Sequence, residues 1–202
     1  MNTLAFFNIS YGLYVLTAQE GDKDNGCIVN TLQQVTASPC TVAVTVNKQN
    51  YTHDMIERTG KFNVTMLSVK SDFSVFEHFG FQSGKDVDKF DGWQDAKRSE
   101  NGLYYITSGS NAYISAEVIQ TVDMGTHTIF IAKATDMEII SDDDSLTYDY
   151  YHKHVKPQPE AEPENKGAYR CKICGYVYEG EELPEDYVCP LCKHGPEDFE
   201  KI

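Results

Sequence analysis

Two C-x-x-C steps, Cys171/Cys174 and Cys189/Cys192, fall near the end of the chain, and no other local pattern restricts its fold as strongly. Four thiols spaced this way can converge on one ion as a tetrahedron, a geometry that suits zinc or iron. Each step is a tight turn, and Gly175 after the first can supply the positive φ such a turn often needs. Residues 167 to 202 also hold five aromatics, Tyr169, Tyr176, Tyr178, Tyr187 and Phe199. So short a segment cannot build much of a core, and stacked rings around a metal can replace one. The remaining cysteines, Cys27 and Cys40, stand alone, a pattern that suits a reducing compartment.

Upstream the composition changes sharply. Residues 155 to 166, VKPQPEAEPENK, carry three prolines, three glutamates and almost nothing to bury. They are expected to form an extended linker between a large domain, residues 1 to 154, and a small one, residues 167 to 202. The chain is 41% hydrophobic, which supports a buried core in the large domain. No apolar run is long enough for a membrane span, and the N-terminus lacks a basic region followed by a long apolar stretch. A soluble, cytoplasmic protein is expected. Its formal charge of -14 repels phosphate backbones and argues against nucleic-acid binding.

The large domain is mostly β-forming, so a mainly β (α+β) fold is expected, a barrel rather than a doubly wound sheet. Leu13–Gln19 and Cys27–Asn30 are expected strands around a hairpin turn whose strongest signal is Asn25-Gly26. Thr41–Val46 is apolar and β-branched, as in a central buried strand. Phe62–Leu67 and Tyr104–Thr107 are further strands. Tyr113–Met124 and Thr128–Ile140 form a long hairpin about Gly125-Thr126-His127. Two helices are expected, Thr52–Arg58 capped by Asn50 or Thr52, and Phe73–Phe79 opened by Ser71 and Asp72. Neither a dinucleotide fingerprint nor a P-loop occurs, and His53 and His78 are expected as polar residues near helix surfaces.

The small domain resembles rubredoxin. The family's first knuckle, C-x-x-C-G-Y-x-Y, is matched by Cys171 to Tyr178, its second by Glu185 to Cys192, and its acidic tail by Glu197-Asp198-Phe199-Glu200. Three departures are a spacing of 14 residues between the knuckles, Tyr187 in place of the usual tryptophan, and Lys193 where many members have glycine. The resemblance implies one iron held as Fe(Cys)4 by Cys171, Cys174, Cys189 and Cys192, with no open position, and hence outer-sphere electron transfer.

The large domain resembles the flavin reductases with an FMN-binding split barrel, over residues 5 to 155. The match runs through Tyr11 to Thr17, Asn25 to Pro39, Val42 to Thr52, Gly125-Thr126-His127 and Tyr148 to His152. The resemblance implies that Lys48 and Thr52, at the start of a helix, hold the FMN phosphate. It also implies that Asn30, Thr31, Gln33, Asn47 and Tyr51 line the flavin, that His127 approaches the flavin or a nicotinamide, and that Tyr150 and Tyr151 cover the site. Members of this family usually pair as homodimers.

Together the two resemblances point to the high-molecular-weight rubredoxins. They imply electrons passing from NAD(P)H through FMN to the iron and on to a partner protein such as a flavodiiron oxygen or nitric-oxide reductase. Two other readings stay open: an electron carrier without its own NAD(P)H activity, and a flavin reductase whose small domain is a zinc ribbon that docks a partner.

Overall fold

A computed structural model describes residues 3–157, 167–173, 175–190 and 194–202. The chain divides into two compact units, residues 1–156 and 157–202. Among the described residues, no helix is long and apolar enough to cross a membrane.

The first unit is built on a seven-stranded sheet. Its strands are β1 (Tyr14–Glu20), β2 (Lys23–Val29), β3 (Gln33–Ala37), β4 (Cys40–Asn47), β5 (Lys61–Leu67), β8 (Ser110–Asp123) and β9 (His127–Ile139). A short hairpin, β6 (Ala96–Arg98) and β7 (Tyr104–Ile106), stands apart from it. The order is β2-β1-β5-β8-β9-β4-β3, and every neighbouring pair is antiparallel. The two edge strands, β2 and β3, are consecutive in the chain, joined only by Asn30, Thr31 and Leu32. A link so short reaches at most about 14 Å. The sheet must therefore curl until its edges come close, which makes a barrel split between β2 and β3.

Period-two alternation fills this barrel. Val42, Val44 and Val46 of β4 turn inward to meet Phe62 and Val64 of β5 and Phe130 and Ala132 of β9. Helix α1 (Tyr51–Thr59) adds Met55 and Ile56 to that core and ends on Gly60, whose φ of 68° closes the helix in the left-handed region. A second cluster gathers Leu13, Val15, Leu67 and Leu146 with Val75, Phe76 and Phe79 of α2 (Phe73–Gly80). Asp72 caps α2 by accepting from the Ser74 amide at 2.8 Å.

The first hairpin turns earlier than the sequence suggests. Glu20 pairs with Lys23, and Gly21 takes the positive φ of 58°. Asn25 and Gly26 lie buried inside β2. Their reason for being there is tertiary. The Asn25 side chain donates to Thr52 Oγ1 at 2.9 Å, and a Cβ at Gly26 would meet the Phe79 ring at 3.0 Å. Strand β4 lies one place in from the edge, because the wholly exposed β3 flanks it.

The second unit holds a three-stranded sheet of order β11-β10-β12. Its strands are β10 (Ala168–Cys171), β11 (Val177–Glu179) and β12 (Phe199–Lys201). Its core is Cys171, Cys189 and Phe199, packed with Tyr169, Tyr176, Tyr178 and Tyr187.

Candidate functional site

The same alternation that turns the valines of β4 inward turns Ala43, Thr45 and Asn47 outward. On β9 it turns Thr128, Phe130 and Ala132 inward and His127, Ile129 and Ile131 outward. Register then sets Ala43 opposite Ile131, Thr45 opposite Ile129 and Asn47 opposite His127. These six side chains form one half-buried layer outside the barrel, apolar along Ile129 and Ile131 and polar at the Asn47–His127 end. Thr31 borders the layer. Its hydroxyl donates to the Thr45 carbonyl at 2.6 Å and accepts from the Thr45 amide, which holds the β2–β3 link against β4. Asn30 is half-buried beside it, and Gln33, opposite Ala43, is exposed.

At the polar end two turns are joined. The Lys48 amide donates to the Thr126 carbonyl at 3.0 Å, and the Met124 amide donates to the His127 carbonyl at 2.9 Å. Lys48 Nζ lies 2.7 Å from Asp123 Oδ1, which also accepts from the Gly125 amide. These two donors, Lys48 foremost, hold the Asp123 carboxyl below its ordinary range. Asn50 caps α1 without a side-chain bond. The ring of Tyr51, next along, has Lys23 Nζ 4.9 Å and Lys85 Nζ 5.9 Å from its centroid. Two ammonium groups thus lie over the ring of the first residue of α1.

Asn47 on β4, His127 on β9 and Lys48 in the turn after β4 are therefore brought together, with Thr31 of the β2–β3 link against β4. Asn30 lies beside Thr31, Gln33 sits on β3 opposite Ala43, and Tyr51 opens α1. Thr52, Tyr150 and Tyr151 are placed elsewhere. Thr52 is fully buried, and its hydroxyl accepts from Asn25. Tyr151 is buried in the second cluster, with its ring 4.4 Å from that of Phe76, and Tyr150 is exposed beside His154. His53, expected near a surface, is only 2% exposed. It packs its ring on Phe130 and reaches Asp54 and Thr128 through its two nitrogens. Strand alternation would have turned Thr128 inward from sequence, but a partner on α1 is a tertiary contact with no local signal.

In the second unit, Cys171 and Cys189 are completely buried in the aromatic nest. The Gly175 amide donates to the Cys171 carbonyl at 2.7 Å, the Cys171 amide to the Tyr176 carbonyl, and the Cys189 amide to the His194 carbonyl. Gly175 has a φ of 76°, which is why glycine follows the first step. Cys174 and Cys192 lie outside the described residues. Two buried sulfurs on turns of this kind suit a soft metal ion.

The chain thus joins a curled antiparallel sheet with a half-buried outer layer to a cysteine-centred module. Residues 6–158 match the flavin reductase like domain, and residues 169–200 match the rubredoxin-like domain of rubrerythrin. A high molecular weight rubredoxin from Moorella thermoacetica is 39% identical across the whole of both chains. A ferric-chelate reductase (NAD(P)H) from Archaeoglobus fulgidus is 38% identical over 75% of this chain and 89% of its own. Among solved structures, the NADH:FAD oxidoreductase SgcE6 of Streptomyces globisporus superposes with a TM-score of 0.65 at 24% identity, over 71% of this chain and 84% of that one. The chain belongs to the flavin reductase-like family and, with its C-terminal rubredoxin-like domain, to the high-molecular-weight rubredoxins. Its work is electron transfer by way of a flavin and the iron of the rubredoxin-like domain.

Proposed function

We propose that the chain takes electrons from NAD(P)H into FMN on the outer layer of β4 and β9, and passes them to an Fe(Cys)4 centre and then to a partner protein. The observation that carries this is the layer itself: Ala43, Ile129 and Ile131 offer a flat apolar floor, with Thr31, Thr45, Asn47 and His127 along it. A bound flavin accepts two electrons as hydride and can release them singly, which a one-electron iron requires. Lys48, Tyr51 and the first turn of α1 are the groups assigned to the phosphate. His127 is assigned to the edge of the ring system. Cys171, Cys174, Cys189 and Cys192 are assigned to the iron, in a domain of residues 167–202 joined through residues 155–166 to a flavin domain of residues 1–154. The name of the Archaeoglobus relative supports a nicotinamide donor. A flavodiiron protein is the acceptor that the likeness to the high-molecular-weight rubredoxins implies.

Exposed Val35 on the edge strand, with Ile119, Met124, Met137 and Ile139 on the long hairpin, supports pairing of two copies. The cytoplasm is the compartment that suits a thiolate-held metal. The test is anaerobic mixing with NADH or NADPH while the flavin and iron absorption bands are followed separately. Flavin bleaching ahead of iron bleaching is expected. Iron that is reduced only by an added protein donor would leave a plain carrier, and zinc at full occupancy would leave a docking ribbon.

A further inference from the structure

Thr128 follows His127 and points the opposite way. His127 lies in the outer layer, whereas Thr128 is 3% exposed inside the barrel. The Thr128 hydroxyl is 2.8 Å from His53 Nε2, and His53 Nδ1 is 3.0 Å from Asp54 Oδ1. The same residue types serve as nucleophile, base and orienting acid in hydrolases, but a hydroxyl and an imidazole both buried beneath α1 cannot meet a substrate. Packing alone does not call for this arrangement either. The His53 ring lies tilted against that of Phe130, 5.4 Å between centroids, a place that an apolar ring would fill without desolvating two nitrogens.

The ladder between β4 and β9 ends at Asn47 opposite His127. Beyond that pair, the Asp123–His127 turn is tied to the β4–α1 turn by the Lys48 amide and by the exposed Lys48–Asp123 pair. Strand ends fray, and an exposed ion pair does little to prevent it. Besides the backbone pairing of Thr128 with Val46 and Asp123, the His53–Thr128 bond is a buried side-chain tie one residue from His127, and Asp54 orients the imidazole that makes it.

We infer that His53 and Thr128 are positioning residues, which anchor the end of β9 so that His127 is held at the flavin layer. This rests on the reading of that layer given above. Thr128→Val keeps the shape of the side chain and removes only the hydroxyl. In flavin-free protein the amides of Lys48 and Met124 should then exchange with solvent about tenfold faster while the core amides are unchanged. In flavin-loaded protein, reduction by NADH should slow about tenfold, the scale of a sub-ångström misplacement, while FMN affinity stays within twofold. Thr128→Ser, which retains the hydroxyl, should restore both values. In a His127→Ala background, Thr128→Val should slow the reaction no further, because its effect runs through His127.

Wild-type exchange and wild-type reduction in Thr128→Val would overturn the proposal. So would an undiminished loss in the His127→Ala background. If the valine variant does not fold, His53→Phe carries the comparison, and a wild-type rate there is equally fatal. A His127→Ala protein reduced at the wild-type rate would remove His127 from the site and the anchor's purpose with it. A slow His127→Ala beside a silent Thr128→Val would sink only the anchor.

Discussion

Lys48 Nζ and Asp123 Oδ1 lie 2.7 Å apart, so the lysine assigned to the flavin phosphate is already held by a carboxylate. The pair is exposed on both sides, 34% for the lysine and 71% for the aspartate, and an exposed pair exchanges partners at little cost. A phosphate that takes Lys48 must release Asp123. Asp123→Asn is therefore expected to tighten FMN binding, and Lys48→Ala to weaken it by about tenfold, near 1.4 kcal/mol. Quenching of free FMN fluorescence at low salt measures both. Riboflavin, without the phosphate, should respond to neither, and identical dissociation constants for FMN in all three proteins would move the phosphate elsewhere.

Thr52 invites the opposite expectation. Its hydroxyl is fully buried and accepts from Asn25, whose own Oδ1 is buried and has no hydrogen-bond partner among the described residues. Thr52→Val would leave the Asn25 amide unpaired at both ends, at a cost of about 1–3 kcal/mol. The unfolding free energy from denaturant titration should fall by that amount, while the flavin content of the folded fraction stays the same. Loss of flavin without loss of stability would return Thr52 to the phosphate.

How much of this was legible in the sequence follows from the range of each interaction. The long hairpin and both helices came from periodicity and capping, which are local, whereas β4, read as a central buried strand, alternates and lies beside the exposed edge strand β3. The place of Asn25-Gly26 was not legible, because a turn-forming pair was recruited into β2 by Thr52 and by the Phe79 ring, both distant in sequence. Lys48, Asn47 and His127 came into one neighbourhood as their order suggested, since strand pairing carries register along β4 and β9. The burial of His53 and its contact with Thr128 depended on how α1 lies over the barrel, which no spacing along the chain encodes.

Cys27 gives the fold a dependence on alkaline pH. It is 3% exposed, and burial pushes its thiol up, against the smaller pull of Thr52, Lys89 and Asn50. A thiol with a raised value stays neutral in the fold while its unfolded counterpart ionises. Its contribution to stability is complete below the unfolded value, near 8.5, and is lost as pH rises toward the folded one, by at most about 1.4 kcal/mol per pH unit. Lys89, lowered by its own burial, acts in the other direction, so a comparison with Cys27→Ala is needed to isolate the thiol. Between pH 7.5 and 9.5 the wild-type midpoint should decline relative to that of Cys27→Ala. Parallel curves would show that the thiolate is accommodated. Alkylation of the native protein at pH 8 should mark the half-exposed Cys40 before Cys27.

The cysteine-centred unit should depend on its metal for folding. Its sheet has strands of three or four residues, and its core is two cysteines and Phe199 within a shell of tyrosines. Burial on that scale cannot offset the conformational entropy of the segment, so metal binding must supply much of the folding free energy. One iron per chain is expected, with a red colour that bleaches on reduction. Cys171→Ser should lose that colour, because it removes one of the four thiolates assigned to the iron while leaving the backbone turn at Gly175 its carbonyl acceptor. Chelation should collapse the amide protection of β10 and β12 while the first unit keeps its flavin and its thermal midpoint, since the two are separate compact units. Colour and metal content report the ion, and hydrogen exchange reports the fold. A unit that stays protected after the metal is gone would mean that the tyrosine shell folds by itself, and that the four cysteines serve redox chemistry rather than stability.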